Sequence, residues 1–215
     1  MKKCILFTDI KGSSKLWKNY PKKMLKALRS HNSQIRNSCK KHSGFIIKTI
    51  GDAYMISFRD ICDGIDFAIK MCRLQVEKPI VVGKSDKLEI RIGMCYGKVN
   101  QRRMMIQNKS LLDYFGSSVN IASRMESKVS QVKGFAFCIE GKKKYDSKVI
   151  NYLNSNNIKT NMGYYMDDLE KCSEILKRSE RLLNTNQINE HKCKNPEELK
   201  GVGGDIITYD CEINI

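Results

Sequence analysis

Three short segments carry residues suited to phosphate chemistry: FTDIKGSSKLW at 7–17, KTIGDAYM at 48–55 and DYFGSSVNIASRM at 113–125. Each is an apolar run that ends in a polar or glycine turn. Asp9 and Asp52 close two of these runs, and Asn120 and Arg124 stand four apart in the third. Two carboxylates brought to one sheet edge repel unless a cation lies between them, and hard divalent cations take carboxylate oxygen. Joined to an arginine that keeps its charge at any working pH, the set is what a magnesium-dependent enzyme needs to act on a nucleoside triphosphate.

Each residue also has a purely structural explanation when taken alone. Asp9 could cap the helix that follows it, Asp52 could be an ordinary Gly-Asp turn residue, and Arg124 could be a surface arginine. Agreement among the segments argues for function. Gly12, Ser13 and Ser14 follow Asp9 into a helix, and the free N–H groups of a helix start can receive phosphate oxygens. Asn120 and Arg124 share one helix face, which suits one to a sugar hydroxyl and the other to phosphate. Lys48 is the one charge inside FIIKTI, and such a lysine needs a partner or a ligand. Adenine is one candidate: Lys48 can donate to ring nitrogen N1, while Asp113 accepts from the N6 amine.

The elements that must position these residues follow from periodicity. Residues 3–10 read as a buried strand, and 13–20 and 22–42 as helices with Pro21 at the junction. FIIKTI and AYMISF flank Gly51-Asp52 as a hairpin, and both arms are apolar enough to be expected at the centre of the sheet. Asp60 can cap a helix running to Val76, with Ile65, Ile69 and Cys72 at helical spacing. LEIRIGMCYGKV is an alternating strand, MMIQ a further hairpin arm, SVNIASRMES a helix with Val119, Ile121, Ala122 and Met125 on one face, and GFAFCIE and GDIITYDCEI later strands. Hairpins mixed with long crossovers indicate an α+β sandwich of the ferredoxin-like, split βαβ kind. The stretch 146–198 is richer in Asn, Ser, Lys and Glu. It reads as an insertion in a single domain spanning 1–215, carrying a surface helix that starts at Asp167/Glu170 and lines up Leu169, Cys172, Leu176 and Leu183.

Composition narrows the function classes. An apolar content of 41% supplies a core, and no run of about 18 apolar residues exists to span a membrane. The apolar run after the first lysines is broken by Asp9, too early for a signal peptide, so a cytoplasmic location is expected. Nine cysteines without a CxxC pair read as small buried hydrophobes in a reducing compartment. Net charge is +16, and residues 1–48 hold 13 Lys/Arg against one acid. Such a patch attracts polyanions in general: nucleic acid, anionic lipid or a triphosphate. No aromatic-rich nucleic-acid motif accompanies it, so a solvated helix face is the favoured reading and no specific nucleic-acid partner is expected.

The segments together resemble the class III nucleotidyl cyclases over about residues 4–140 and again near 199–213. That resemblance implies an adenylate cyclase converting ATP to 3′,5′-cyclic AMP and pyrophosphate with two Mg²⁺ (or Mn²⁺) per site. It implies Asp9 and Asp52 as metal carboxylates with the Ile10 carbonyl as an additional ligand, and Asn120 and Arg124 as transition-state residues. Lys48 and Asp113 fall where adenylyl cyclases carry Lys and Asp and guanylyl cyclases carry Glu and Cys. Lys200, in LKGVGGD, falls near the family's phosphate-contacting lysine. The resemblance further implies a homodimer with each active site shared between chains. The alternatives are a cyclase for GTP or a pyrimidine triphosphate, and an inactive cyclase-like nucleotide-binding module.

Overall fold

Alternating small and branched apolar residues make KKCILFTDI a strand with two buried faces, and this strand, β1 (Lys2–Ile10), anchors the fold. The computed structural model of the chain describes residues 1–107, 109–129, 134–140, 146–165, 188–194 and 206–213. After β1 come α1 (Ser13–Asn19) and α2 (Pro21–Lys41), the latter started by a proline at its first position, where no N–H is needed. Then follow β2 (Phe45–Ile50), β3 (Ala53–Phe58), α3 (Ile61–Glu77) and β4 (Ile90–Lys98). Asp60 caps α3 by accepting from the Cys62 N–H. The second half holds β5 (Asn100–Ile106), β6 (Lys109–Phe115), α4 (Ser117–Lys128), β7 (Gly134–Ile139), α5 (Ser147–Ser155), β8 (Ile158–Tyr165), β9 (Ile188–Lys194) and β10 (Ile206–Ile213).

Eight strands form one sheet in the order β2-β3-β1-β4-β7-β10-β8-β9, and β5-β6 form a separate hairpin. Its first four strands, with α1, α2 and α3 as connections, are the split βαβ arrangement expected of the sequence. The β4–β7 and β8–β9 pairings are parallel, the others antiparallel. Residues alternate between two cores. Cys4, Leu6, Ile56, Ile65 and Phe137 lie on the side of α2, α3 and α5. Ile5, Met55, Cys95, Ile121 and Met125 lie beneath α4. Cys4, Cys39, Cys62, Cys72, Cys95, Cys138 and Cys211 are free thiols, all but Cys62 buried.

Two sequence expectations change. The arm FIIKTI was expected at the centre of the sheet, but β2 is its edge strand, with Phe45 and Ile50 each 55% exposed. Apolar content alone cannot separate a strand covered by its own sheet from one awaiting other cover. The start of the segment expected to be inserted belongs to the fold: α5 buries Val149, Ile150 and Leu153, and β8 pairs with β10. The helix expected from Asp167 lies outside the described residues.

Candidate active site

The β1–β3 ladder ends with Thr8 opposite Tyr54, so Asp9 and Ile10 on one side and Ala53 and Asp52 on the other lie just beyond its last pair. The sequence places the two carboxylates at one edge because β1 ends there and the β2–β3 turn begins there. Gly51 has φ 64°, a left-handed conformation that favours glycine, which is why the turn is Gly-Asp. Asp52 is half-buried, and its Oδ2 has no hydrogen-bond partner among the described residues. A buried carboxylate oxygen without a donor is costly, and a cation would remove that cost.

Asp9 is engaged differently. Arg91 lies directly opposite it on β4, and Arg91 Nη2 donates to Asp9 Oδ2 at 2.6 Å. Arg91 Nε also stands 2.9 Å from Glu126 Oε1, an ion pair without the alignment of a hydrogen bond. Burial pushes the Glu126 carboxyl up to about 7, against the pull of Arg91 and with a smaller push from Asp9. Asp9, Asp52 and the Ile10 carbonyl offer oxygen donors only, the type that Mg²⁺ or Mn²⁺ takes. No cluster of three or more His, Cys, Asp or Glu side chains is formed among the described residues. Backbone, substrate and water oxygens would therefore complete the coordination, as is usual for magnesium.

Beyond Asp9 the chain turns at Gly12, φ 65°, into α1. The first N–H groups of this turn, including those of Ser13 and Ser14, have no intrahelical acceptor. Ser14 is exposed and Ser13 half-buried.

Lys48 and Asp113 meet: Lys48 Nζ donates to Asp113 Oδ2 at 2.5 Å. The Asp113 side chain is 6% exposed and that of Lys48 42%. Asp113 Oδ1 accepts from the Tyr114 N–H. A β-bulge makes this contact possible. The β2–β3 register slips between Ile46 and Lys48, so Lys48 stands opposite Met55, on the α4 side of the sheet. A regular strand would have sent it to the opposite face.

Asn120 and Arg124 are exposed on α4, whose other side buries Ile121, Ala122 and Met125. The helix lies close to β4, and a Cβ on Gly93 would come within 1.8 Å of the Glu126 nitrogen. Its first turn is held by Ser118, which donates to the Lys98 carbonyl at 2.9 Å and to Glu140, and by Ser117, which also donates to Glu140. Glu126 points to the β1–β4 edge, and Arg124 is two positions earlier, about 200° around the helix. Arg124 and Glu126 therefore leave α4 on different sides. Lys200 lies outside the described residues.

Sequence reasoning missed Arg91, Glu126 and Glu140. Arg91 gave one signal, a lone cation in the buried alternation LEIRIGM. Glu126 and Glu140 gave none, because their partners are distant in sequence.

The family model described as "Adenylate and Guanylate cyclase catalytic domain" matches residues 2–134. An adenylate cyclase of Neurospora crassa is 34% identical over 140 residues, 57% of this chain and 6% of that protein. An adenylate cyclase of Schizosaccharomyces pombe is 31% identical over 145 residues, 59% of this chain and 8% of that protein. The chain thus spans less than a tenth of the length of these two relatives. Among solved structures, the guanylate cyclase domain of RhGC from Catenaria anguillulae in complex with GTP has a TM-score of 0.65 at 18% identity, covering 100% of this chain and 97% of that one. The non-canonical dimeric guanylyl cyclase domain of the RhoGC fusion protein from Blastocladiella emersonii has a TM-score of 0.57 at 20% identity, covering 72% and 84%. Because the family model takes in well over half of its residues, this chain belongs to the family of adenylate and guanylate cyclase catalytic domains.

Proposed function

We propose that this chain converts ATP to 3′,5′-cyclic AMP and pyrophosphate. The Lys48–Asp113 pair is the observation that carries the choice of base. Adenine offers an acceptor at N1 and a donor at N6, which match an ammonium and a carboxylate set side by side. Guanine offers the reverse, a donor at N1 and an acceptor at O6, and would leave both side chains mismatched.

In this reading Asp9, Asp52 and the Ile10 carbonyl hold two Mg²⁺ or Mn²⁺ ions. Divalent cations there supply Lewis acidity, lowering the pKa of the ribose 3′-OH and balancing the triphosphate charge. Gly12, Ser13 and Ser14 offer backbone N–H groups to phosphate oxygens, with Lys200 as a further phosphate contact. Arg91, beside Asp9, adds a fixed positive charge at the same edge. Asn120 orients the ribose so that the 3′-oxygen faces the α-phosphorus in line with the leaving pyrophosphate. The new O–P bond forms as the hydroxyl proton departs and the bond to pyrophosphate breaks. Arg124 neutralises charge growing on the phosphoryl and leaving oxygens.

The site is proposed to be shared by two copies of the chain, with Asp9 and Asp52 from one and Lys48, Asp113, Asn120 and Arg124 from the other. The position of Arg124, on a different side of α4 from Glu126, supports this. So do the exposed apolar residues Phe45 and Ile50 on β2 and Met105, Leu111 and Phe115 on the β5–β6 hairpin. Incubation with each nucleoside triphosphate and Mg²⁺ or Mn²⁺, with products identified by mass, tests the reading. Cyclic AMP from ATP supports it. Cyclic GMP as main product overturns the choice of base, and no turnover leaves a nucleotide-binding module.

A further inference from the structure

The candidate site draws on β1, the β2–β3 turn, β6 and α4, and makes no use of α2, the longest helix described. Over 21 residues α2 carries seven Lys/Arg and no acid. Its buried stripe is Met24, Ala27, His31, Ile35, Ser38 and Cys39. Around the rest of the helix Lys22, Lys26, Arg29, Arg36 and Lys40 recur at three- to seven-residue spacing, and all are exposed. The ion pairs among the described residues involve Lys11, Lys48, Lys70 and Arg91, and none reaches α2. Like charges one turn apart, such as Lys22 and Lys26, weaken a helix, and solvated faces ordinarily mix both signs to avoid this.

Apolar side chains are exposed within this basic face. Leu25, between Lys22 and Arg29, is 55% exposed, as is Val81 on the segment that follows α3. Val81 forms the lip of a groove of about 570 Å³ that also presents Lys23, Lys26 and Lys78 over Ile80 and Val82, with no acid in its lining. Cations interleaved with exposed aliphatic groups suit an anionic lipid surface, where headgroups meet the charges and the aliphatic groups enter the acyl boundary. A nucleic-acid face would be expected to offer aromatic side chains for stacking, and α2 contains no Phe, Tyr or Trp, while the ring of Tyr20 at its N-cap already lies under the Lys23 ammonium.

We propose that the outer face of α2, with Leu25 and Val81 as its apolar contacts, docks this domain peripherally on an anionic phospholipid surface. Headgroup phosphates enter the Lys23–Lys26–Lys78 groove. The helix gives a footprint of about 30 Å. It packs on the side of the sheet opposite α4, so docking leaves the α4 face open to nucleotide and to a second chain. The docking does not depend on the proposed reaction, and the vesicle partitioning is read without it.

The whole chain is sedimented with vesicles of phosphatidylcholine alone and with phosphatidylserine added, at low and at raised salt. Binding is expected only to the anionic vesicles and should fall as salt shortens the reach of charge. Lys26→Glu with Arg29→Glu should weaken partitioning by roughly thirtyfold or more, and Leu25→Ser should weaken it while leaving every charge in place. Lys148→Glu with Lys159→Glu, exposed on α5 and β8, removes the same net charge elsewhere and should leave most of the binding. Turnover without vesicles should match the unaltered chain in all three variants. Equal binding to neutral vesicles overturns the proposal, as does equal loss in the α5/β8 variant. Retention on RNA with none on anionic vesicles overturns it in favour of a nucleic-acid face.

Discussion

Lys48 Nζ and Asp113 Oδ2 lie 2.5 Å apart, joining the edge strand β2 to the β5–β6 hairpin through residues 65 positions apart. Lys48 keeps Asp113 satisfied, because the carboxylate is nearly buried and an unpaired buried charge is strongly destabilising. The pair holds together the two groups proposed to read the base.

Reversing this pair should move base preference. Lys48→Glu with Asp113→Cys presents an acceptor to the guanine N1–H and removes the acceptor for adenine N6. The ratio of ATP to GTP use should fall by at least about tenfold, since a site built for one hydrogen-bonding edge leaves polar groups unpaired with the other. Lys48→Glu alone would set two carboxylates against each other and should be less stable than the double variant. Competition assays with both nucleotides check the first expectation and thermal melts the second. An unaltered ATP preference in the double variant would remove these residues from base reading.

Asp52→Ala and Asp9→Ala should each lower turnover by at least about a hundredfold without loss of fold. Asp52 contributes an oxygen that nothing among the described residues satisfies, so its removal costs none of their hydrogen bonds at that atom. Asp9→Ala leaves Arg91 beside Glu126 alone, an ion pair that should then tighten. Circular dichroism and urea melts establish folding, and product formation over a range of Mn²⁺ establishes the loss. Turnover near that of the unaltered chain in either folded variant would defeat the two-metal assignment.

What could be read from the sequence follows the range of the interactions. The Gly51-Asp52 turn, the Asp60 cap and the apolar face of α4 depend on residues within a few positions of one another, and all three are visible in a linear reading. The split βαβ order followed from the sequence of elements. Lys48 could be recognised as a charge in need of a partner, and Asp113 as a candidate for the same ligand. That the two bond directly depends on a one-residue bulge, which no local composition signals. Arg91 and Glu126 are joined only by the packing of α4 on β4 at Gly93, a contact between segments distant in sequence. The exposure of β2 was hidden for the same reason: its residues are apolar in either setting.

Acid should weaken the fold through His31. This side chain is buried on α2, edge-on to the Tyr54 ring at 6.0 Å, and neither ring nitrogen has a hydrogen-bond partner among the described residues. Burial lowers its pKa from 6.5 to about 4. The unfolded chain therefore binds a proton that the folded chain refuses between these values, and stability falls as pH drops from about 6.5 towards 4. From pH 7 to pH 5 the loss due to this one group is about 2 kcal/mol. Urea melts at both pH values should show a smaller difference for His31→Leu than for the unaltered chain. Equal differences would mean that His31 finds a proton acceptor in solution.

A shared site makes a quantitative prediction about mixtures. Asp9→Ala removes a group from one half of each site and Arg124→Ala from the other half, so each variant alone should be inactive. If the two are mixed and exchange subunits at random, half of the dimers contain one chain of each kind. Two-fold symmetry then gives every mixed dimer one site with both defects and one with none, so activity should return to about a quarter of the unaltered level. Light-scattering mass measurements test for a dimer, and subunits labelled with two fluorophores report exchange. No recovery in a mixture shown to exchange would mean that Arg124 and the carboxylates act within one chain.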